Sequence, residues 1–311
     1  MSYLGRLAAT SVCVLILNLP FGYWRAGLRK LSISWFVAIH APVPLVFALR
    51  MGFGLGFRWV NVPIFATMFF TGQFLGTRLR SRPGGPLYAR WILANGWAEA
   101  AGLGTTLLLG SAVAPWFTDA VSPLAVIAGA ILAVLLGTVL EGVLVGWAQG
   151  RVLERAWPKL FSQPSRRAWI RATALGAGIA WLLGMVPSTI FSLAGGDQAG
   201  VSMPSEPSAW LQIVLALALG LALGAILGFA QGRVFRAHGI PAGAWIGANA
   251  AAWALGMAVI FAGMGRVPWA LGGIQVAAGV YLVTGVAGLA VGAVHGAALL
   301  RLRTRFREIE G

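Results

Sequence analysis

Long apolar stretches separated by short polar segments dominate this chain. A membrane-spanning helix needs about 20 consecutive, mostly apolar residues. Nine stretches meet that requirement, over residues 4–22, 31–49, 59–77, 91–110, 123–148, 168–193, 209–230, 243–263 and 272–300. The pattern therefore predicts an all-α polytopic membrane protein with about nine transmembrane helices. We expect the first span to be retained, since residues 20–24 form a poor signal-peptide cleavage site.

Basic residues are distributed unevenly between the two sets of alternate connecting segments. One set holds 19 Lys and Arg residues and the other holds 4, which together make the 23 in the chain. Cytoplasmic loops carry the excess of positive charge, so the N-terminus is expected outside and the C-terminus in the cytoplasm. The content of 59% hydrophobic and 10% charged residues is typical of membrane proteins. The abundance of Arg, Ala and Gly indicates a prokaryotic cytoplasmic membrane.

The net charge of +15 would suggest nucleic-acid binding in a soluble protein. Here the basic residues fall between apolar spans, so no nucleic-acid partner is expected. Membrane lipids are the expected partners, because anionic head groups attract juxtamembrane cations by about 1 kcal/mol per charge. The residues expected to contact lipid head groups are Arg151, Arg155, Arg166, Arg167 and Arg233.

A pattern of Gly, Gln and Trp recurs along the second half of the chain. One copy contains Gly142, Gly146, Gln149, Gly150 and Trp169, and a second contains Gly224, Gly228, Gln231, Gly232 and Trp245. A weaker earlier copy contains Gly72, Gly76 and Trp91, and a terminal half-copy contains Gly288, Gly292, His295 and Gly296. Spans three to nine are therefore predicted to form parallel two-helix repeats with GxxxGxxQG-type faces, starting near residue 63. Residues 1–82 are predicted as an N-terminal three-span module and residues 83–311 as a six-span region.

The paired glycines favour close helix packing in the membrane. Two glycines four residues apart lie on one helix face and let two helix backbones approach. Gln149, Gln231 and His295 follow on the same side, where they can donate and accept hydrogen bonds across the interface. Helix packing is the preferred interpretation of these three residues, and a polar pore is the alternative.

Three ionisable residues inside predicted spans are candidates for an ion or proton site. Glu99 and Glu141 each lie about 12 Å from the cytoplasmic boundary by helical rise. If they face each other, repulsion and desolvation favour a shared proton. The alternative is that each is neutral or bonded to its neighbours. His40 precedes Pro42, which frees a carbonyl one turn back, so this region is either a cation or proton site or a bend satisfied by a neighbouring helix.

Common enzymatic motifs are missing from the sequence. It holds no Walker A loop, nucleophile elbow or zinc-protease motif, and Cys13 is its only cysteine. We therefore expect no metal and no cofactor, and an enzyme is the less favoured interpretation. The leading hypothesis is a permease or channel-like protein for a small solute, ion or lipid with an intramembrane carboxylate site. The alternatives are a non-catalytic structural or accessory subunit of a larger membrane complex and an intramembrane lipid-modifying enzyme. Protein partners would be further copies of this chain, in a homo-oligomer, or the subunits of a membrane complex.

Overall fold

The computed structural model describes residues 2–56, 58–81, 84–114, 122–193 and 208–310, and within those ranges it contains helices and no strand. The α-helices are α1 (Tyr3–Arg25), α2 (Ile33–His40), α3 (Pro42–Gly52), α4 (Val62–Ser81), α5 (Gly85–Glu99), α6 (Thr105–Val113), α7 (Pro123–Leu136), α8 (Leu144–Ala156), α9 (Gln163–Leu193), α10 (Ala209–Ala237), α11 (Gly243–Met264) and α12 (Gly273–Glu310). Two π-helical segments, Ala100–Gly104 and Gly137–Val143, continue α5 into α6 and α7 into α8.

Seven of the described helical stretches are long and apolar enough to cross a membrane, as expected of a multi-pass, all-α integral membrane protein. They are Tyr3–Arg25, Ile33–Gly52, Pro123–Ala156, Gln163–Val186, Trp210–Ala237, Gly243–Met264 and Gly273–Ile309. Two further predicted spans, 59–77 and 91–110, are helical but do not belong to this set. In the second of them, Asn95 and Glu99 lower the mean hydropathy. The number of nine spans therefore stays a prediction.

The chain divides into two compact units, residues 1–86 and 87–311. The predicted boundary between residues 82 and 83 lies outside the described residues. The division observed falls within the first turn of α5. Each unit is described by itself below.

In the first unit, α1 and α4 approach each other through glycine. Gly72 on α4 lies against the Leu15 carbonyl and Asn18 of α1, and Gly76 lies against the Leu19 carbonyl. Gly72 and Gly76 thus pack against the preceding helix α1 within this unit. Their expected hairpin with the following helix stays a prediction.

The bend between α2 and α3 is satisfied by a neighbouring helix. Pro42 has no amide hydrogen, so the Ala38 carbonyl receives no helical hydrogen bond from it. Gln73 Nε2 of α4 donates to that Ala38 oxygen at 3.3 Å. The freed carbonyl is thus used in packing the first unit.

In the second unit, three antiparallel helix pairs make matching backbone contacts. The pairs are α8 with α9, α10 with α11, and α12 with α5. In each pair, a Cβ added to a glycine would lie against the Cα of an isoleucine on the other helix. The distances are 2.9 Å from Gly146 to Ile170, 2.9 Å from Gly228 to Ile246 and 3.0 Å from Gly292 to Ile92. The last helix of the chain therefore packs against the first helix of this unit.

The two π segments meet in the interior of the second unit. A Cβ on Gly102, in the first segment, would lie 2.8 Å from the Cα of Glu141 in the second. A π turn inserts one extra residue into an α-helix, and such insertions occur frequently at functional sites. Here they bring the two predicted carboxylate positions onto neighbouring backbones.

We expect Gly228→Ala to destabilise the protein. The new Cβ would lie 2.9 Å from the Ile246 Cα and from the Asn249 Cβ, so the α10 and α11 backbones must separate. Overpacking of this kind costs about 1–3 kcal/mol, which exceeds the roughly 1 kcal/mol that alanine gains over glycine in helix propensity. Thermal unfolding in mild detergent measures the change.

Gly247→Ala, on the partner helix α11, is the matched control, because nothing lies within 4 Å of the added Cβ. It should leave the melting temperature unchanged or raise it slightly. Equal effects of the two substitutions would contradict the close-packing account.

Candidate functional site

The centre of the second unit is a layer of indole and polar side chains that are at most 2% exposed. Each helix pair contributes one tryptophan that donates its indole hydrogen to a polar residue on the partner helix. The three bonds run from Trp169 to Gln149 Oε1 (3.2 Å), from Trp245 to Gln231 Oε1 (3.1 Å) and from Trp91 to His295 Nδ1 (2.8 Å). Gln149, Gln231 and His295 therefore occupy matching positions, since the imidazole can accept as the amide oxygen does.

Hydrogen bonds also cross between neighbouring helix pairs. Gln149 Nε2 donates to Asn95 Oδ1 at 2.8 Å, which joins α8 to α5. Gln231 Nε2 donates to Thr173 Oγ1 and to Gln149 Oε1, each at 3.0 Å, which joins α10 to α9 and α8. Buried polar atoms in lipid are stable only when they are paired in this way. Their burial and mutual bonding favour the packing interpretation over the pore interpretation.

Aromatic rings continue this layer toward the end of the unit that carries the basic residues. The Trp245 ring packs at 5.9 Å from Trp91 and 5.8 Å from Trp169. Phe235 packs against both Trp245 and Phe306, the latter on the long helix α12. These rings are fully buried. Buried aromatic rings thus fill the interior of the second unit at this level.

His238 directly follows α10, at the edge of this aromatic group. Its ring lies 5.9 Å from that of Phe161. Partial burial lowers the pKa of His238, because the charged imidazolium loses solvation. Its neutral form is therefore favoured in the folded protein.

The predicted carboxylates Glu99 and Glu141 lie together at the π segments. Glu99 is the last residue of α5 and is 1% exposed, while Glu141 lies inside the second π segment and is 8% exposed. The two carboxyls are close enough to interact electrostatically. Trp181 Nε1 of α9 donates to Glu141 Oε2 at 2.7 Å. Glu99 Oε2 is buried and has no hydrogen-bond partner among the described residues.

The third candidate, His40, belongs to the first unit. It is exposed, and its Nδ1 lies 2.8 Å from the Phe36 carbonyl oxygen of its own helix. Glu99 and Glu141 belong to the second unit. Within the described ranges, no group of three or more His, Cys, Asp or Glu residues could hold a metal ion.

The basic residues expected at lipid head groups lie at the ends of α8, α9 and α10. Arg155, Arg167 and Arg233 are exposed. Arg151 and Arg166 each contact Glu154 at 3.5 Å. The head-group contacts of these arginines stay a prediction.

Sequence reasoning missed several residues of the site. It assigned no hydrogen-bond role to Trp181, Asn95 or Thr173, although the stretch WLLGM that begins at Trp181 recurs as WALGM from Trp253. The π segments have no recognised sequence signal. The sequence alone therefore does not show whether Glu99 and Glu141 face each other. For Asn95 and Thr173, the available signal was their common position four residues after a tryptophan.

The fold and the buried polar site define an all-helical membrane protein with an interior carboxyl pair. Comparisons of the chain with models of protein families, with curated proteins and with solved structures find no match.

We expect Gln149→Met to destabilise the second unit strongly. Methionine preserves the length of the side chain but leaves Asn95 Oδ1 and Trp169 Nε1 without partners. Each unsatisfied buried group costs about 1–3 kcal/mol. Chemical or thermal unfolding in detergent measures the loss.

The control is Gln163→Met, at the exposed start of α9. It should change stability by less than about 0.5 kcal/mol. A tolerated Gln149→Met would show that the layer is not held by its hydrogen bonds.

Proposed function

We propose that this protein is a permease or channel-like transporter of a small solute or ion, and that Glu99 and Glu141 bind the coupling proton. The observation that carries this proposal is the buried, interacting carboxyl pair with one unpartnered oxygen. Ionisable residues inside a membrane are costly, and they usually mark ion or proton pathways.

The pair supports binding of a single proton. Two ionised carboxylates at this burial would repel each other and would both lack solvation. One proton between them removes the repulsion and leaves one negative charge. Trp181 donates to Glu141 and so stabilises that remaining charge.

The bundle around the pair supports access from one side. On α5, Asn95 bonds within the polar layer and Glu99 follows one turn later. On the neighbouring chain segment, Gln149 lies in the layer and Glu141 precedes it, next to Gly102. Both carboxyls therefore lie on the same side of the layer, away from the basic ends of α8 and α10. If the basic ends are cytoplasmic, the buried polar layer lies between the pair and the cytoplasm, and we infer that the pair exchanges its proton with the outer side.

The three matching helix pairs support an internal repeat in which the last helix, α12, pairs with α5. The α8–α9 and α10–α11 pairs are contiguous hairpins. The terminal half-copy in α12 completes its pair with α5, where Tyr88 Oη donates to the Ala293 carbonyl at 3.0 Å. Parallel repeats related by an axis along the membrane normal occur in several transporter folds.

An accessory subunit is the second candidate, and one observation favours it. An apolar groove of about 370 Å³ runs along the outside of α5 and α12, between Trp97 and Tyr281. Such a surface could receive a helix of another membrane protein. Purification in mild detergent with mass determination of the intact particle distinguishes a fixed complex from a lone protein.

We expect Glu141→Gln to abolish proton flux driven by an imposed pH gradient in proteoliposomes. An amide cannot exchange the proton that the carboxyl pair holds. Infrared spectroscopy of the wild type should also show the carbonyl band of a protonated carboxyl. That band should disappear in the double variant E99Q/E141Q.

Glu308→Gln is the matched control, because Glu308 is an exposed carboxylate paired with Arg305 near the end of α12. It should retain both the flux and the band. Wild-type flux in E141Q, or no protonated carboxyl in the wild type, would refute the proposal. Size-exclusion profiles check that each variant is folded.

A further inference from the structure

The junction between α11 and α12 differs from the two other junctions of the second unit. At the two other junctions, a glutamine Nε2 donates a hydrogen bond directly to the neighbouring helix pair. These bonds run from Gln149 to Asn95 Oδ1 at 2.8 Å and from Gln231 to Thr173 Oγ1 at 3.0 Å. The corresponding crossing would join His295 on α12 to Asn249 on α11. Both residues are 1% exposed.

Asn249 presents an unsatisfied acceptor at this junction. Its Nδ2 donates to the Trp245 carbonyl at 3.0 Å, which fixes the orientation of the amide. Its Oδ1 is buried and has no hydrogen-bond partner among the described residues. The Trp245 ring lies 5.5 Å from the His295 ring, and Asn249 follows Trp245 by one turn of α11.

His295 presents a donor whose direction is fixed. Its Nδ1 accepts from Trp91, so in the neutral ring the hydrogen is on Nε2. A rigid ring held at Nδ1 cannot turn its Nε2 independently. The glutamine side chain at the other two junctions can rotate its amide to reach its partner.

Trp253 adds a second donor on the same helix face. It follows Asn249 by four residues, so the two side chains are neighbours on α11. Its Nε1 is buried and has no partner among the described residues. The Gly224 and Gly228 contacts place both residues on the interior side of α11.

We propose that Asn249, His295 and Trp253 bind one water molecule inside the bundle. The water accepts from Trp253 Nε1–H and His295 Nε2–H and donates to Asn249 Oδ1. Buried waters typically make about three hydrogen bonds to otherwise unsatisfied groups. Two donors disfavour a metal cation, and the burial of Asn249 and His295 disfavours an anion or a larger solute. This inference does not rest on the proposed transport function.

The test is water-to-protein magnetisation transfer in the full chain, labelled with ¹⁵N-tryptophan in nanodiscs. The wild type should show transfer from water to the Trp253 indole hydrogen, which Trp253→Phe assigns. Trp169 is the internal control, because its indole bonds directly to Gln149 and should show no transfer. Absence of transfer at Trp253, or equal transfer at Trp169, would overturn the proposal.

His295→Gln gives a second measurement that a folding defect does not obscure. Glutamine should bridge directly to Asn249, as at the other two junctions, and displace the water. We expect the Trp253 transfer to be lost while the melting temperature is retained. Unchanged transfer in this variant would also contradict the proposal.

Discussion

Close approach of helix backbones at glycine is the constraint on which the second unit depends. Lipid chains are as apolar as leucine, so burial of apolar surface does not drive helices together within the membrane. Gly146, Gly228 and Gly292 remove the side chain at the crossing and leave backbone against backbone. Only at that separation can the following polar residue reach the indole of the partner helix. Packing and hydrogen bonding are therefore parts of one arrangement.

This arrangement is completed by segments that are far apart in the chain. Trp91 and His295 are 204 residues apart, yet they form the same bond as the two contiguous pairs. The α5 face that carries Asn95 and Glu99 therefore stays uncovered until α12 is in place. A polar face of this kind is unfavourable in lipid. Its burial therefore favours the packing of α12 against α5.

The sequence predicted the helical class and the residues of the site better than their pairing. Apolar length predicted the seven described helices that are long and apolar enough to cross a membrane. The spacing of Gly, Gln and Trp identified Gln149, Gln231 and His295 as one group. The same spacing did not predict that Gly72 and Gly76 pack against α1, because a Gly pair indicates a close contact without specifying the partner helix. The meeting of Glu99 and Glu141 depends on two π turns, and a single inserted residue leaves the hydrophobic pattern almost unchanged.

The polar layer and the carboxyl pair differ in how completely their polar atoms are hydrogen-bonded. The layer is stable because nearly every donor has an acceptor, whereas Glu99 keeps one oxygen without a protein partner. An unpaired buried group raises the energy of the state that contains it, so this part of the bundle is less well satisfied than the layer beneath it. A change of protonation would alter the repulsion between the carboxyls, and the π segments lie at the point where that force acts. Movement is therefore expected there first, with the hydrogen-bonded layer as the fixed base.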